Sequence, residues 1–227
     1  MRSIKIFIFL LFLGWATPIF GGPDIDEYMD SIVKVEFKNR TATGFLISKE
    51  GYILTCGHVF EGYDESSDRN SIKVYLFQPT QIAYNVPLVY LRLSKEKGGT
   101  LTSANLQEKY ADLALLKVPA NNIATRDPIK LASSTPPIGA PTYFFAAGAT
   151  QTPRLAKRTV QATNPTFLLL SPSVHPGDSG SPILDSSGHL IGMILMQHTS
   201  SFAGAVTTQR VEKLLPPAYS KILSVSD

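Results

Sequence analysis

Cysteine and histidine are scarce in this chain: among 227 residues there is one cysteine, Cys56, and four histidines, His58, His175, His189 and His198. A lone cysteine cannot form an internal disulfide, and the scattered histidines offer no ligand spacing. Neither a disulfide scaffold nor a metal site is expected, and nothing in the sequence calls for a cofactor. An excess of charge of either sign is also missing. Of the formal +3, Arg2 and Lys5 supply two, which leaves +1 for the rest. That balance gives no electrostatic footprint for nucleic acid or an acidic membrane. The apolar run Ile6–Leu13 is shorter than the roughly 20 residues of a comfortable membrane span, and no later segment competes with it. There is no internal repeat and no low-complexity tract.

What is present starts with a basic, then apolar, then small-residue order: Arg2 and Lys5, Ile6–Leu13, then Gly14, Ala16, Pro18 and Gly21. This is the layout of a secretory signal peptide, assigned to residues 1–21, with cleavage after Ala16 or after Gly21. An uncleaved anchor is the alternative. Export with a single cysteine points to a bacterial periplasmic or secreted setting, with no stable membrane insertion after cleavage. About 205 residues remain as 22–227, enough for a two-lobed domain with a core that needs no staples.

Short apolar or alternating runs between turn signals read as strands. The first set is Ser31–Phe37, Thr43–Ser48, Tyr52–Cys56, Ile72–Phe77, Val89–Leu93 and Leu113–Val118. The second is Thr142–Ala146, Thr159–Ala162, Thr166–Leu170, Ser181–Leu184, Leu190–Met196 and Ala203–Thr207. Pro119–Pro128 lacks periodicity and separates them. Only the end reads as helical: Val211, Leu214 and Leu215 recur at helical spacing after Thr207 and Thr208, both candidate N-caps. Pro216 and Pro217 interrupt that helix, with a short continuation from Ala218. The pattern is all-β, barrel or sandwich.

Three segments carry residues fit for nucleophilic chemistry. In Gly177-Asp178-Ser179-Gly180-Ser181-Pro182, glycines flank a serine and allow a tight loop in which N–H groups converge. Serine needs a base, and His58 follows the apolar strand Tyr52–Cys56 through Gly57, a rigid place for an imidazole. Asp112 opens the hydrophobic run Leu113–Val118, where a carboxylate can be half-buried and fix a histidine tautomer. Each segment alone also fits a bland role: a Gly/Ser/Pro turn, a surface histidine, a solvated aspartate.

Taken together and in order, Thr55-Cys56-Gly57-His58, Asp112-Leu113-Ala114-Leu115-Leu116-Lys117 and the Ser179 segment resemble the signature segments of the trypsin-like (chymotrypsin-fold) serine protease family. Thr43–Ser48 and Gly188–Gly192 are similar to the bacterial HtrA-like branch. The resemblance covers about residues 30–211 and implies two antiparallel six-stranded β-barrels with a short C-terminal helix. The first barrel would span about 28–118, the linker 119–132, and the second barrel with the helix 133–227, with no appended peptide-binding (PDZ) module. It implies a serine endopeptidase acting on proteins or peptides, with Ser179 as nucleophile, His58 as general base and Asp112 as orienting carboxylate. The N–H groups of Gly177 and Ser179 would form the oxyanion hole.

The resemblance further implies a substrate pocket lined by Ser173–Pro176, Ile194, Leu195, Met196 and Ala203–Ala205, with Gly204 among them. Ser173 stands where an acidic residue would select Arg or Lys, so apolar walls favour a small or medium aliphatic side chain. His175 and His198 raise the alternative of an acidic one. No Ile-Val-Gly-Gly start occurs, so Asp178 needs another partner: an arginine, main-chain donors, or solvent. Cys56 is expected to be buried and inert, since residues at i and i+2 of one strand rarely meet in attack geometry. Two other readings stand beside this one. An α/β-hydrolase order of Ser179, Asp185 and His189 or His198 lacks the strand-to-helix elbow. A protease fold kept for peptide binding or chaperoning, with its triad idle, leaves no mark in the sequence.

Overall fold

The computed structural model describes residues 23–77, 81–94, 108, 110–148 and 152–223; the signal segment 1–21 lies outside them. Thirteen strands are described: β1 Ile32–Phe37, β2 Arg40–Leu46, β3 Tyr52–Thr55, β4 Ile72–Leu76, β5 Ile82–Asn85, β6 Leu88–Arg92, β7 Leu113–Lys117, β8 Pro141–Ala146, β9 Arg154–Thr163, β10 Phe167–Ser171, β11 Pro182–Leu184, β12 Leu190–Gln197 and β13 Ala203–Thr207. They form two sheets of antiparallel pairs. The second is a closed barrel in the order β10-β13-β12-β11-β8-β9. The all-β, two-lobed, chymotrypsin-like architecture is therefore as expected.

The first lobe corrects the expected strand count. Its sheet has seven strands, β5-β4-β1-β2-β3-β7-β6, and does not close into a hydrogen-bonded ring. Its two edge strands are consecutive in sequence and joined by Val86-Pro87. Proline has no N–H for a ladder, so it breaks one long strand into β5 and β6. The junction still bonds to both sides, with Val86 N donating to Ile72 O (3.0 Å) and Lys117 N to Pro87 O (3.3 Å). The sheet is curled as a result. β5 escaped the sequence reading because its side chains are largely exposed and show no buried alternation.

Two apolar clusters sit beneath this arrangement. One fills the first lobe and runs across to Phe145, Leu184, Met193, Leu195 and Val206 of the second, joining the lobes. The other lies within the second barrel around Phe144, Val160, Leu168, Val174, Ile194, Ala203 and Ala205. Between the sheets, 119–131 contains a short 3-10 turn, Ala120–Asn122, and an isolated parallel bridge from Leu131 to Leu190. The chain ends as expected: Thr207 Oγ1 accepts from Arg210 N (3.2 Å) at the start of the helix Thr208–Leu214, and a second helix, Pro217–Leu223, follows the proline pair.

Candidate active site

His58 reaches its position by leaving the sheet. β3 ends at Thr55, and the histidine opens a 3-10 turn, His58–Phe60, whose Val59 and Phe60 are buried. Arg40 Nη1 ties the turn from outside, donating to His58 O (3.0 Å) and Glu61 O (3.1 Å). Gly57 is required by contact: a Cβ there would lie 2.5 Å from Arg92 O and 2.8 Å from Asp112 Oδ1. The aspartate precedes β7, and its side chain is only 3% exposed. Its Oδ2 lies 2.6 Å from His58 Nδ1. With the carboxylate ionised, Nδ1 keeps its proton in this bond, and Nε2 is the ring nitrogen that gains or loses one.

The Ser179 loop is folded from both lobes. Gly177 (φ 89°) and Gly180 (φ 83°) adopt the left-handed conformation, and a Cβ on Gly180 would come within 2.0 Å of Thr43 O. Within the loop, Asp178 N donates to His175 O, Ser181 N to Asp178 O, and Gly180 N to Ile194 O (2.7 Å). From β2, Thr43 N donates to Ser179 O (2.9 Å) and Thr43 Oγ1 to Gly177 O (3.0 Å). The Thr43 oxygen also accepts from Ala147 N and Gly148 N. No acceptor among the described residues takes the N–H of Gly177 or of Ser179. Two unspent donors thus flank Asp178.

Asp178 is 2% exposed and not solvated. One nitrogen of Arg154, Nη2, bridges its two oxygens at 2.6 and 2.7 Å, and His175 N donates to Oδ2 (2.8 Å). Of the three partners expected, the arginine and the main chain both serve. Neither Arg154 nor Thr43 stood out singly in the sequence, because each acts on a residue far along the chain. Because no Ile-Val-Gly-Gly segment occurs in the sequence, the partner of Asp178 stood open between an arginine, main-chain donors and solvent.

Cys56 is fully buried, as expected, but its Sγ lies 3.7 Å from His58 Nε2. The strand-face argument fails because His58 is no longer in the strand and turns back over it. Burial of the ring disfavours its charged form, yet the adjoining sulfur and the hydrogen-bonded Asp112 outweigh this, and His58 titrates above the usual histidine range. Ser179 Oγ makes no hydrogen bond to His58.

The expected pocket residues divide into two groups. Ile194 lies in the second-barrel cluster with Ala203, Ala205 and Val174, the last of which follows Ser173 in sequence. Ser173 Oγ donates to the 199–202 turn, at Thr199 O and Phe202 O. Leu195 belongs instead to the interlobe cluster and Met196 packs against it. The Cβ direction of Gly204 meets Tyr110 Oη at 2.8 Å. Gly204 thus faces away from the side that Ala203 and Ala205 line, because successive residues of a strand alternate. The α/β-hydrolase order is excluded by the fold: Ser179 leads into the strand β11, not into a helix.

A model of the trypsin-like peptidase domain matches residues 42–193. The chain belongs to that family. Among curated proteins, the family member from Hahella chejuensis described as a probable periplasmic serine endoprotease, DegP-like, is 26% identical over 198 residues, 80% of this chain and 37% of that protein. A DegP-like protein of the same description from Halomonas elongata is 27% identical over 164 residues, 70% of this chain and 30% of its own. The chain thus spans about a third of the length of these relatives. Among solved structures, the fold resembles the serine endoprotease from Yersinia pestis (TM-score 0.66, 20% identity, 88% of this chain and 65% of that one). It also resembles the Rv3671c protease from M. tuberculosis in its active form (TM-score 0.65, 18% identity, 94% and 93%). No helix of the described residues is long and apolar enough to cross a membrane.

Proposed function

We propose that the chain is an exported serine endopeptidase that cleaves proteins or peptides through an acyl-enzyme, in the periplasm or outside the cell. The observation that carries this reading is the buried Asp112 carboxylate on His58 Nδ1, beside a serine loop whose Gly177 and Ser179 N–H groups are unspent. Ser179 Oγ attacks the scissile carbonyl as His58 Nε2 takes its proton. The oxyanion formed on the carbonyl oxygen is received by the two N–H groups. Collapse expels the amine, which takes the proton from His58, and leaves an ester on Ser179. Water, activated by the same imidazole, then releases the acid. Asp112 keeps the ring in the productive tautomer and offsets the positive charge that it acquires. Arg154 holds Asp178, and with it the loop between the two donors.

The rival reading, an idle protease fold that binds peptides, draws on the missing Ser179–His58 hydrogen bond. A fluorophosphonate probe separates the two. The mature protein is expected to be labelled at Ser179, with labelling abolished in Ser179→Ala and reduced by several orders of magnitude in His58→Ala. A folded wild type that takes no label refutes the protease reading.

A further inference from the structure

Thr43 stands on β2 of the first lobe and is wholly buried, yet both its main-chain N–H and its hydroxyl reach into the second lobe. The N–H donates to Ser179 O (2.9 Å). The hydroxyl donates to Gly177 O (3.0 Å) and accepts from Ala147 N (2.8 Å) and Gly148 N (3.1 Å), just past the end of β8. A hydroxyl has one hydrogen and two lone pairs, so all three are spent. With both lone pairs engaged by main-chain N–H groups, one direction is left for the hydrogen, and Gly177 O takes it. The residue that carries this hydroxyl is itself fixed. Thr55 Oγ1 donates to Thr43 O (2.6 Å), and a β-branched side chain has few rotamers.

These bonds fall on the two residues whose N–H groups are unspent. Gly177 O is held by the Thr43 hydroxyl and Ser179 O by the Thr43 N–H, so both carbonyls are pinned from one point of the other lobe. Gly177 is the residue that most needs pinning. It has no Cβ to restrict its backbone and sits at φ 89°, in the region open to glycine. Its conformation is set by bonds to its neighbours instead: the 177–178 peptide is tied at its carbonyl by Thr43 Oγ1 and at its Asp178 N–H by His175 O (3.1 Å). The end of β8 closes over the same carbonyl, since a Cβ on Gly148 would lie 2.3 Å from Gly177 O. We infer that Thr43 is a positioning residue for the reaction: its hydroxyl fixes the Gly177 carbonyl, and thereby the direction in which the Gly177 N–H meets the developing oxyanion. A donor aimed in advance stabilises that charge without reorganising during the reaction. Thr43 itself touches neither the substrate nor the reacting atoms. The inference rests on the reading of Ser179 as nucleophile with Gly177 and Ser179 as oxyanion donors.

The test compares wild type, Thr43→Val and Thr43→Ser in acylation by p-nitrophenyl acetate. Valine keeps the branched shape and deletes the oxygen; serine keeps the oxygen. Deleting it strands buried polar groups and lowers Tm under any role, so the readouts are ones that a purely structural role leaves unmoved. The acylation rate constant of folded Thr43→Val is expected to fall about tenfold to a hundredfold, less than for outright loss of a donor, because the N–H is kept but misdirected. Thr43→Ser recovers most of the rate. The ester carbonyl stretch of the isotope-labelled acetyl-enzyme moves to higher wavenumber in Thr43→Val, because a misaimed donor polarises it less. The acid limb of the pH–rate profile stays in place, since the bonds of Thr43 reach neither His58 nor Asp112. Wild-type acylation or a wild-type carbonyl frequency in Thr43→Val, a displaced acid limb, or a Thr43→Ser as slow as Thr43→Val overturns the inference. If Thr43→Val loses its cooperative melt, Thr43→Cys, whose thiol is a weak donor and acceptor, carries the same comparison. A wild type that is not acylated refutes the protease reading and the role of Thr43 with it, whereas an acylated wild type beside an unimpaired Thr43→Val refutes the role alone.

Discussion

Replacing Arg154 by leucine strips a buried carboxylate of its cation. Asp178 is almost inaccessible, and Arg154 supplies both of its side-chain contacts apart from the His175 N–H. Removing one partner of a fully buried pair costs about 3–5 kcal/mol. Arg154 is itself 36% exposed, and the His175 N–H remains, so about 2–3 kcal/mol is expected here. For a domain of this size each kcal/mol moves Tm by about 2–4 °C, which gives a fall of about 5–10 °C. The double variant Arg154→Leu/Asp178→Asn removes the charge, keeps the size, and retains an acceptor for His175 N. It is expected to recover most of that loss. Since Asp178 lies between the two proposed oxyanion donors, the rate of fluorophosphonate labelling at Ser179 should fall at least about tenfold in the single variant. The measurements are thermal unfolding and the labelling rate. A single variant with Tm and labelling rate equal to wild type, or a double variant no better than the single, would refute the assignment of Arg154 as the group that holds this loop.

Two further outcomes follow from the same geometry. Gly57→Ala places a methyl 2.5 Å from a backbone oxygen and 2.8 Å from Asp112 Oδ1. It should push the carboxylate off His58, slowing labelling by at least about a hundredfold with a Tm loss of about 1–3 kcal/mol equivalent; near-wild-type labelling would show that the Asp112 contact is dispensable. In Cys56→Ala, the sulfur that helps raise the pKa of His58 is gone. The base acts when neutral, so activity rises as pH climbs through the raised value, and the variant should show its acid limb at lower pH. The linked stability has the matching sign. A raised folded-state pKa stabilises below the unfolded value, and that contribution is lost as pH rises through the folded one. A pH–labelling profile for Cys56→Ala superimposable on wild type would mean that the contact has no influence on the base.

Much of the fold was legible because strands imprint a local pattern. β1, β3, β4, β7 and β13 match the apolar runs read from the sequence to within a residue or two, since each buries alternating or continuous side chains. β9 was read as starting at Thr159 but begins at Arg154. Its first half, Arg154-Leu155-Ala156-Lys157-Arg158, looks polar and exposed in isolation. Arg154 and Arg158 are drawn in by Asp178 and the Phe144 ring, contacts that no local window contains. That Gly204 faces Tyr110 while Ala203 and Ala205 face the second-barrel cluster follows from alternation along β13.

The sequence by itself determined the all-β lobes and the helix that ends them, and it singled out His58, Asp112 and Ser179 as candidates, because strand periodicity, turn glycines and the order of reactive residues are written in short segments. The tertiary structure decided what those residues meet. It brought Arg154 to Asp178, Thr43 beneath the serine loop, Cys56 to the imidazole and Arg158 to the carbonyl of Ser173. Each of these contacts except that of Cys56 joins residues well apart in the chain. All of them depend on the closure of one barrel, the curl of the other, or a turn that takes a side chain out of its strand, and these are properties of the assembled sheets that no local pattern encodes.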